Sequence, residues 1–199
     1  NKWRHLFERK GYMDRETLLN YIRPRMPEKR YMHTIGVMET AIELANRYGE
    51  NPEKAEIAAI LHDVSKFEDE EAMRKIVREE ELGERLLPWG AEIMHGPIAA
   101  YRAKHELGIQ DEDILNAMRY HTTGRVGMSK LEKIIYIADM IEPSRKFDGV
   151  EDLRKIATED LTKAMQACIY HSVKFLVDTK QAIYPLSIEC YNYYLGEEY

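Results

Sequence analysis

With 199 residues, of which 44% are hydrophobic and 32% charged, the chain has the composition of an ordinary globular protein of one domain, not of a disordered or fibrous one. A formal net charge of −6 argues against nonspecific nucleic-acid binding as its main business, because such binders carry a basic footprint. Apolar runs of only a few residues leave no transmembrane span.

Residues 1–13 read as an N-terminal extension and residues 14–199 as a single domain, since no fixed-period repeat and no Gly/Ser-rich linker divides the chain. No secretory leader is expected at Asn1-Lys2-Trp3-Arg4-His5, which runs into further charge without an apolar core. From Met32, the apolar residues Ile35, Val37, Met38, Ala41, Ile42, Leu44 and Ala45 recur at a helical spacing of about 3.6 residues. That helix should end at Tyr48-Gly49, where glycine suits a left-handed cap. Asn51-Pro52 reads as an N-cap with proline in the first turn, opening a helix that carries His62-Asp63.

Residues 68–84 are densely charged and are expected to form a solvated helix or excursion; Pro88-Trp89-Gly90 reads as a turn with an aromatic plug. A helix is expected over 97–107, closed by Gly108, and another from about Asp111 to His121, stopping before Thr122-Thr123-Gly124. Residues 129–142 combine a Ser129 N-cap, Glu132 at the third helical position, an apolar body containing Asp139, and Pro143 as a stop. One long or two stacked helices over 150–179 and a short aromatic-rich helix over 188–195 complete an all-α bundle. Cys168 and Cys190 lie in apolar or aromatic helical sequence and read as small buried hydrophobes in a reducing cytoplasm.

The chemistry concentrates at His33, His62, Asp63 and Asp139, each set in apolar sequence facing a bundle core. An imidazole or carboxylate is costly to desolvate there unless a divalent cation compensates it. Two nitrogens and two carboxylate oxygens completed by waters suit iron, manganese or a similar divalent ion better than a closed structural zinc site. Such an ion acidifies a water for hydrolysis. Taken singly, each ligand is more often a satisfied core or surface residue; the joint pattern is far more specific.

That pattern, His on one helix, His-Asp on the next and Asp on a later one, resembles the HD-domain phosphohydrolase superfamily, a helical bundle. Arg30-Tyr31-Met32-His33-Thr34-Ile35-Gly36-Val37, His62-Asp63-Val64-Ser65-Lys66, His95-Gly96-Pro97, Tyr120-His121-Thr122-Thr123-Gly124 and the words over 137–145 narrow the resemblance to the bacterial YqeK family, across residues 14–195. The resemblance implies an iron-dependent, symmetrical hydrolase of diadenosine tetraphosphate (Ap4A) that releases two ADP, with His33, His62, Asp63 and Asp139 as metal ligands.

It also implies catalytic roles for Asp63, Lys66, His95 and His121, and substrate contacts from Arg30, Asp63, Val64, Ser65, Lys66, His95, His121, Thr122, Asp139 and Arg145. Ile183, Tyr184, Pro185 and Ser187 belong to the segment that closes over the nucleotide in that family. Tyr184 stands where the family commonly has a histidine; it can stack on adenine or serve as a structural tyrosine. Cations at Arg30, Lys66 and Arg145 suit phosphate oxygens. His95 and His121 either bind phosphate and protonate a leaving group or hold a second metal, and the resemblance favours the former. His5, His105 and His171 read as surface or structural. Two alternatives stay open: an HD phosphohydrolase for a deoxynucleotide, nucleoside monophosphate or guanosine alarmone, and a catalytically silent nucleotide-sensing module. No nucleic acid or membrane partner is expected, and a homodimer is admitted.

Overall fold

Side chains that accept the free N–H groups of a first turn set most of the helix starts. Asp14, Asn51, Asp69, Asp111, Ser129 and Asp160 each cap a helix this way, and Ser129 with Glu132 forms the full reciprocal box. The computed structural model describes residues 13–196, so His5 and the expected extension, apart from Met13, lie outside the described residues.

The elements are α1 (Arg15–Ile22), α2 (Glu28–Tyr48), α3 (Pro52–Leu61), α4 (Glu70–Glu79), α5 (Ala91–Glu106), α6 (Glu112–Arg119), α7 (Lys130–Ile141), α8 (Val150–Glu159), α9 (Leu161–Asp178) and α10 (Pro185–Gly196). Short 3-10 turns stand at Arg23–Arg25 and Glu84–Trp89, and no strand occurs among the described residues. The fold is all-α.

Helix α7 is the hub, packing on α2, α3, α6, α8 and α9. Its Leu131, Ile134, Ile135, Ile137 and Ala138 are fully buried, which fixes Asp139 in place, partly buried, on the wall of the cavity described below. Helix α3 is covered by α1, α2, α6 and α7, so Ala55 and Ala58 through Leu61 are buried without following one apolar stripe. Each fully buried leucine or isoleucine contributes about 1.5–3 kcal/mol, which offsets the cost of several kcal/mol for holding a charge in the same interior.

Four expectations are corrected or sharpened. Helix α3 stops at Leu61, and His62-Asp63 follow in tight turns in which Val64, Lys66 and Glu68 donate to the carbonyls of Leu61, Asp63 and Ser65. Helix α5 starts at Ala91, six residues before Pro97, so His95 sits inside it and Pro97 is accommodated within the helix. The region 150–179 is two helices, because Asp160 is extended and caps α9. The charged segment 68–84 is more than a solvated excursion: Met73 and Val77 of α4 pack with Leu86, Met94 and Ile98 into a second small core.

Gly96 sets the approach of α5 to α6. A Cβ there would meet the carbonyl oxygens of Arg119 and Met118 at 2.8 and 3.1 Å, backbone atoms that cannot rotate aside. Gly96→Ala is therefore expected to cost about 1–3 kcal/mol of stability and to push His95 away from His121. A fall in the urea midpoint together with lost activity is the expected result; a wild-type midpoint would contradict it.

Candidate metal centre and phosphate site

Helix ends aim the histidines. Ala59 is in the last turn of α3, where carbonyls lack intrahelical partners, and the His62 ring donates from Nδ1 to its oxygen at 2.5 Å. His121 repeats the device just past α6, donating from Nδ1 to Met118 O at 2.7 Å, and His95 donates from Nδ1 to Ala91 O at 3.1 Å. A carbonyl only accepts, so each Nδ1 carries a hydrogen and each Nε2 is turned to the site.

His33 from α2, His62 and Asp63 from the turn after α3, and Asp139 from α7 converge, with one ligand atom from each lying within 4.8 Å of the others. His33 Nε2 is 2.9 Å from Asp139 Oδ1, and His62 Nε2 is 3.2 Å from Asp63 Oδ2 and 3.4 Å from Asp139 Oδ1. His62 and Asp63 are fully buried, yet His62 Nε2 and Asp63 Oδ1 have no hydrogen-bond partner of acceptable geometry. Orphaned donor atoms at such depth fit a divalent cation, which would be held by His33, His62, Asp63 and Asp139.

Burial opposes a charge on His62, but the Asp63 and Asp139 carboxylates outweigh it and push the ring up to about 10. Burial likewise opposes ionisation of Asp63 and Asp139, and their facing histidines prevail, holding both carboxyls well below the usual range. The raised His62 therefore stabilises the metal-free fold fully below pH ~6.5, and this is lost as the pH climbs toward ~10. The two aspartates act in the opposite sense, their contribution being present above the ordinary carboxylate range and lost on acidification. A divalent ion must displace the His62 proton, so loading should release about one proton and affinity should rise about tenfold per pH unit between about pH 7 and 9. Calorimetry in buffers of different protonation enthalpy measures this; a pH-independent affinity would contradict it.

Asp63 also serves a second group. His95 Nε2 and His121 Nε2 lie 3.0 Å apart, and each is 3.3 Å from Asp63 Oδ1. With both Nδ1 atoms already carrying hydrogen, this contact requires a proton, or a cation, between the two rings. Burial, helped by His95 and His62 and opposed by Asp63, holds His121 below the ordinary histidine value.

Cations flank the carboxylates. Arg30 approaches Asp63 Oδ2 with Nε at 2.7 Å and Nη2 at 2.6 Å, while Arg145 donates to Asp139 O at 2.9 Å with Nη2 3.4 Å from Oδ1. Lys66 pairs with Glu92 at 3.1 Å. A cavity of about 770 Å³, within the range of small-molecule sites, is lined by Arg30, Asp63, Lys66, His95, His121 and Thr122. Asp139, Arg145, Tyr184 and Ser187 line it as well.

Val64 and Ser65 are buried and do not line that cavity, because the tight turns after His62-Asp63 direct them elsewhere. Ile183 and Pro185 also stand outside its lining, although Ser187 ties their segment down by donating to Thr123 O at 2.9 Å. Trp89, read as a turn plug, lies on the wall edge-to-face with Tyr184 at 5.3 Å. His171, read as surface or structural, lines the same cavity with its ring tilted against Phe147 at a centroid distance of 4.6 Å.

Glu142 escaped the sequence reading. Fully buried, it places Oε2 3.6 Å from His33 Nδ1, on the side of the ring away from the carboxylates, and accepts from the Ser144 hydroxyl. A Cβ at Gly36 would run into this carboxylate. The available signal was a glutamate between an apolar helix and Pro143, one turn from Asp139 and matched by a glycine one turn from His33. At 3.6 Å this is an electrostatic contact, longer than a hydrogen bond, that sets buried negative charge behind the His33 ring.

The chain belongs to the HD domain family, whose model matches residues 30–144. Among its relatives, the symmetrical bis(5'-nucleosyl)-tetraphosphatase of Bacillus subtilis is 48% identical over 181 residues, which cover 91% of this chain and 97% of that protein. The enzyme of the same name from Staphylococcus aureus is 45% identical over 184 residues, covering 92% and 95%. A crystal structure from Clostridium acetobutylicum, described as a predicted HD superfamily hydrolase involved in NAD metabolism, superposes with a TM-score of 0.87 at 43% identity, covering 92% of this chain and 98% of that one. The resemblance read from His62-Asp63 and its flanking words thus extends over nearly the whole chain.

Proposed function

We propose that the chain is a metal-dependent phosphohydrolase that cleaves Ap4A symmetrically into two ADP. The observation that carries this is the four-residue His/Asp cluster, whose Asp63 and Asp139 line a cavity together with Arg30, Lys66, His95, His121 and Arg145, in a chain whose relatives of nearly equal length carry that activity in their names. His33, His62, Asp63 and Asp139 would hold a divalent ion, for which we choose iron ahead of manganese, and it would supply Lewis acidity to the hydrolysis. One water is consumed, its oxygen bonding to a phosphorus beside the central bridge, and the bridging oxygen departs with ADP and takes up a proton.

The chain's own residues do the rest. Arg30 and Arg145 neutralise charge gathering on the phosphate oxygens and hold the reacting phosphorus in place. His95 or His121, side by side next to Asp63, hands a proton to the departing oxygen. Lys66 and Thr122 contact further phosphate oxygens, and Tyr184 with Trp89 offers aromatic surface to adenine. The proposal extends to a cytoplasmic enzyme acting on a free dinucleotide, without nucleic acid or membrane, and open to homodimerisation. Among the described residues no helix is long and apolar enough to cross a membrane.

The test incubates the metal-loaded protein with Ap3A, Ap4A, Ap5A, deoxynucleotides and ppGpp and resolves the products by chromatography. ADP from Ap4A as the dominant product is expected. Preferential loss of a deoxynucleotide or of ppGpp would transfer the proposal to another HD phosphohydrolase, and binding without turnover would make the chain a sensor.

A further inference from the structure

A second cavity, of about 490 Å³, adjoins the first: Arg30, Arg145 and Phe147 line both. Arg30 and Arg145 are each followed or preceded in sequence by a lysine, Lys29 and Lys146, and both lysines open onto this second cavity. Both are exposed, and neither forms an ion pair among the described residues, whereas Arg30 and Arg145 are engaged with Asp63 and Asp139. In a chain of net charge −6 this is a local excess of free positive charge beside the metal ligands. Phe67, 49% exposed, contributes a bare aromatic face to the same cavity. Ammonium groups for phosphate and an aromatic ring for a base are the two elements that hold a nucleotide without specific base recognition.

Resting on the Ap4A reading, we propose that this second cavity seats the departing nucleoside diphosphate half of the substrate, with its phosphates at Lys29 and Lys146 and its base against Phe67. The first cavity then holds the other half, and the two meet at Arg30 and Arg145, where the central phosphates lie. A dinucleotide engages both cavities, and a nucleotide with one nucleoside leaves the aromatic face of the second unfilled.

The experiment compares kcat/KM for Ap4A and for adenosine 5'-tetraphosphate, which lacks the second nucleoside, using the metal-loaded full chain. Phe67→Ala is expected to lower the value for Ap4A by roughly fivefold to a hundredfold, the range for losing one base–aromatic stack, and to leave that for adenosine tetraphosphate unchanged. The double variant Lys29→Glu/Lys146→Glu should raise KM for Ap4A by about tenfold or more, each reversal opposing phosphate, with kcat retained. All three side chains are substantially exposed, so folding is not at stake. If the wild type hydrolyses Ap4A and both variants keep its constants, the second cavity is not a nucleotide site. Failure of the wild type itself to cleave Ap4A would instead overturn the functional reading, and this one with it.

Discussion

Asp63→Asn should give a folded protein that loses its divalent metal and turns over at least about a thousandfold more slowly, a barrier increase of about 4 kcal/mol. Asp63 is shared by both clusters: Oδ2 faces His33 and His62, while Oδ1 faces His95 and His121. The amide keeps the shape but removes the charge, and its NH2 group, which only donates, replaces an oxygen that accepts from Arg30 or faces the histidines. Arg30 and the surrounding rings lose their buried counter-charge together. Metal content by elemental analysis and kcat measured on the same preparation check this. Stoichiometric metal with near-wild-type turnover would show that the doublet is not the reactive centre.

His121→Gln is expected to cost about a hundredfold to ten-thousandfold in kcat, the usual worth of a positioned proton donor, while metal content stays at the wild-type level. The reason is geometric: Nε2 of His121 reaches His95 and Asp63 Oδ1 but belongs to a different group from the four-ligand cluster. Parallel loss of one metal equivalent would show that Asp63, His95 and His121 hold a second ion. The two measurements together separate proton transfer from metal binding.

Much of this arrangement was legible because it is local. The reciprocal cap of Ser129 and Glu132, the apolar body of α7 and the stop at Pro143 placed Asp139 correctly, and the Asn51-Pro52 start did the same for α3. The end of α3 was harder to read, since the apolar run continues to the doublet and only the packing of the following turns decides where the helical bonds stop. Pro97 misled for a related reason. It suits a first turn, yet α5 begins six residues earlier at Ala91 and carries Pro97 in its interior.

The four candidate ligands converge as the periodicities imply, but the pairings around them are tertiary. Lys66 meets Glu92 across 26 positions, His33 is backed by Glu142, and Phe147 and His171 form a cavity wall because α9 packs on α7. No local pattern announces such partners. The same holds for the second cavity, which needs residues from the start of α2, the turn after α3 and the loop after α7.

The most direct test is hydrolysis of Ap4A by the metal-loaded protein in water enriched in heavy oxygen, with the products analysed by mass spectrometry. Expected are two ADP per Ap4A consumed, one carrying a single heavy oxygen on its terminal phosphate and the other unlabelled. ATP with AMP among the primary products, or no ADP at all, would contradict symmetrical cleavage by water at the His62-Asp63 centre.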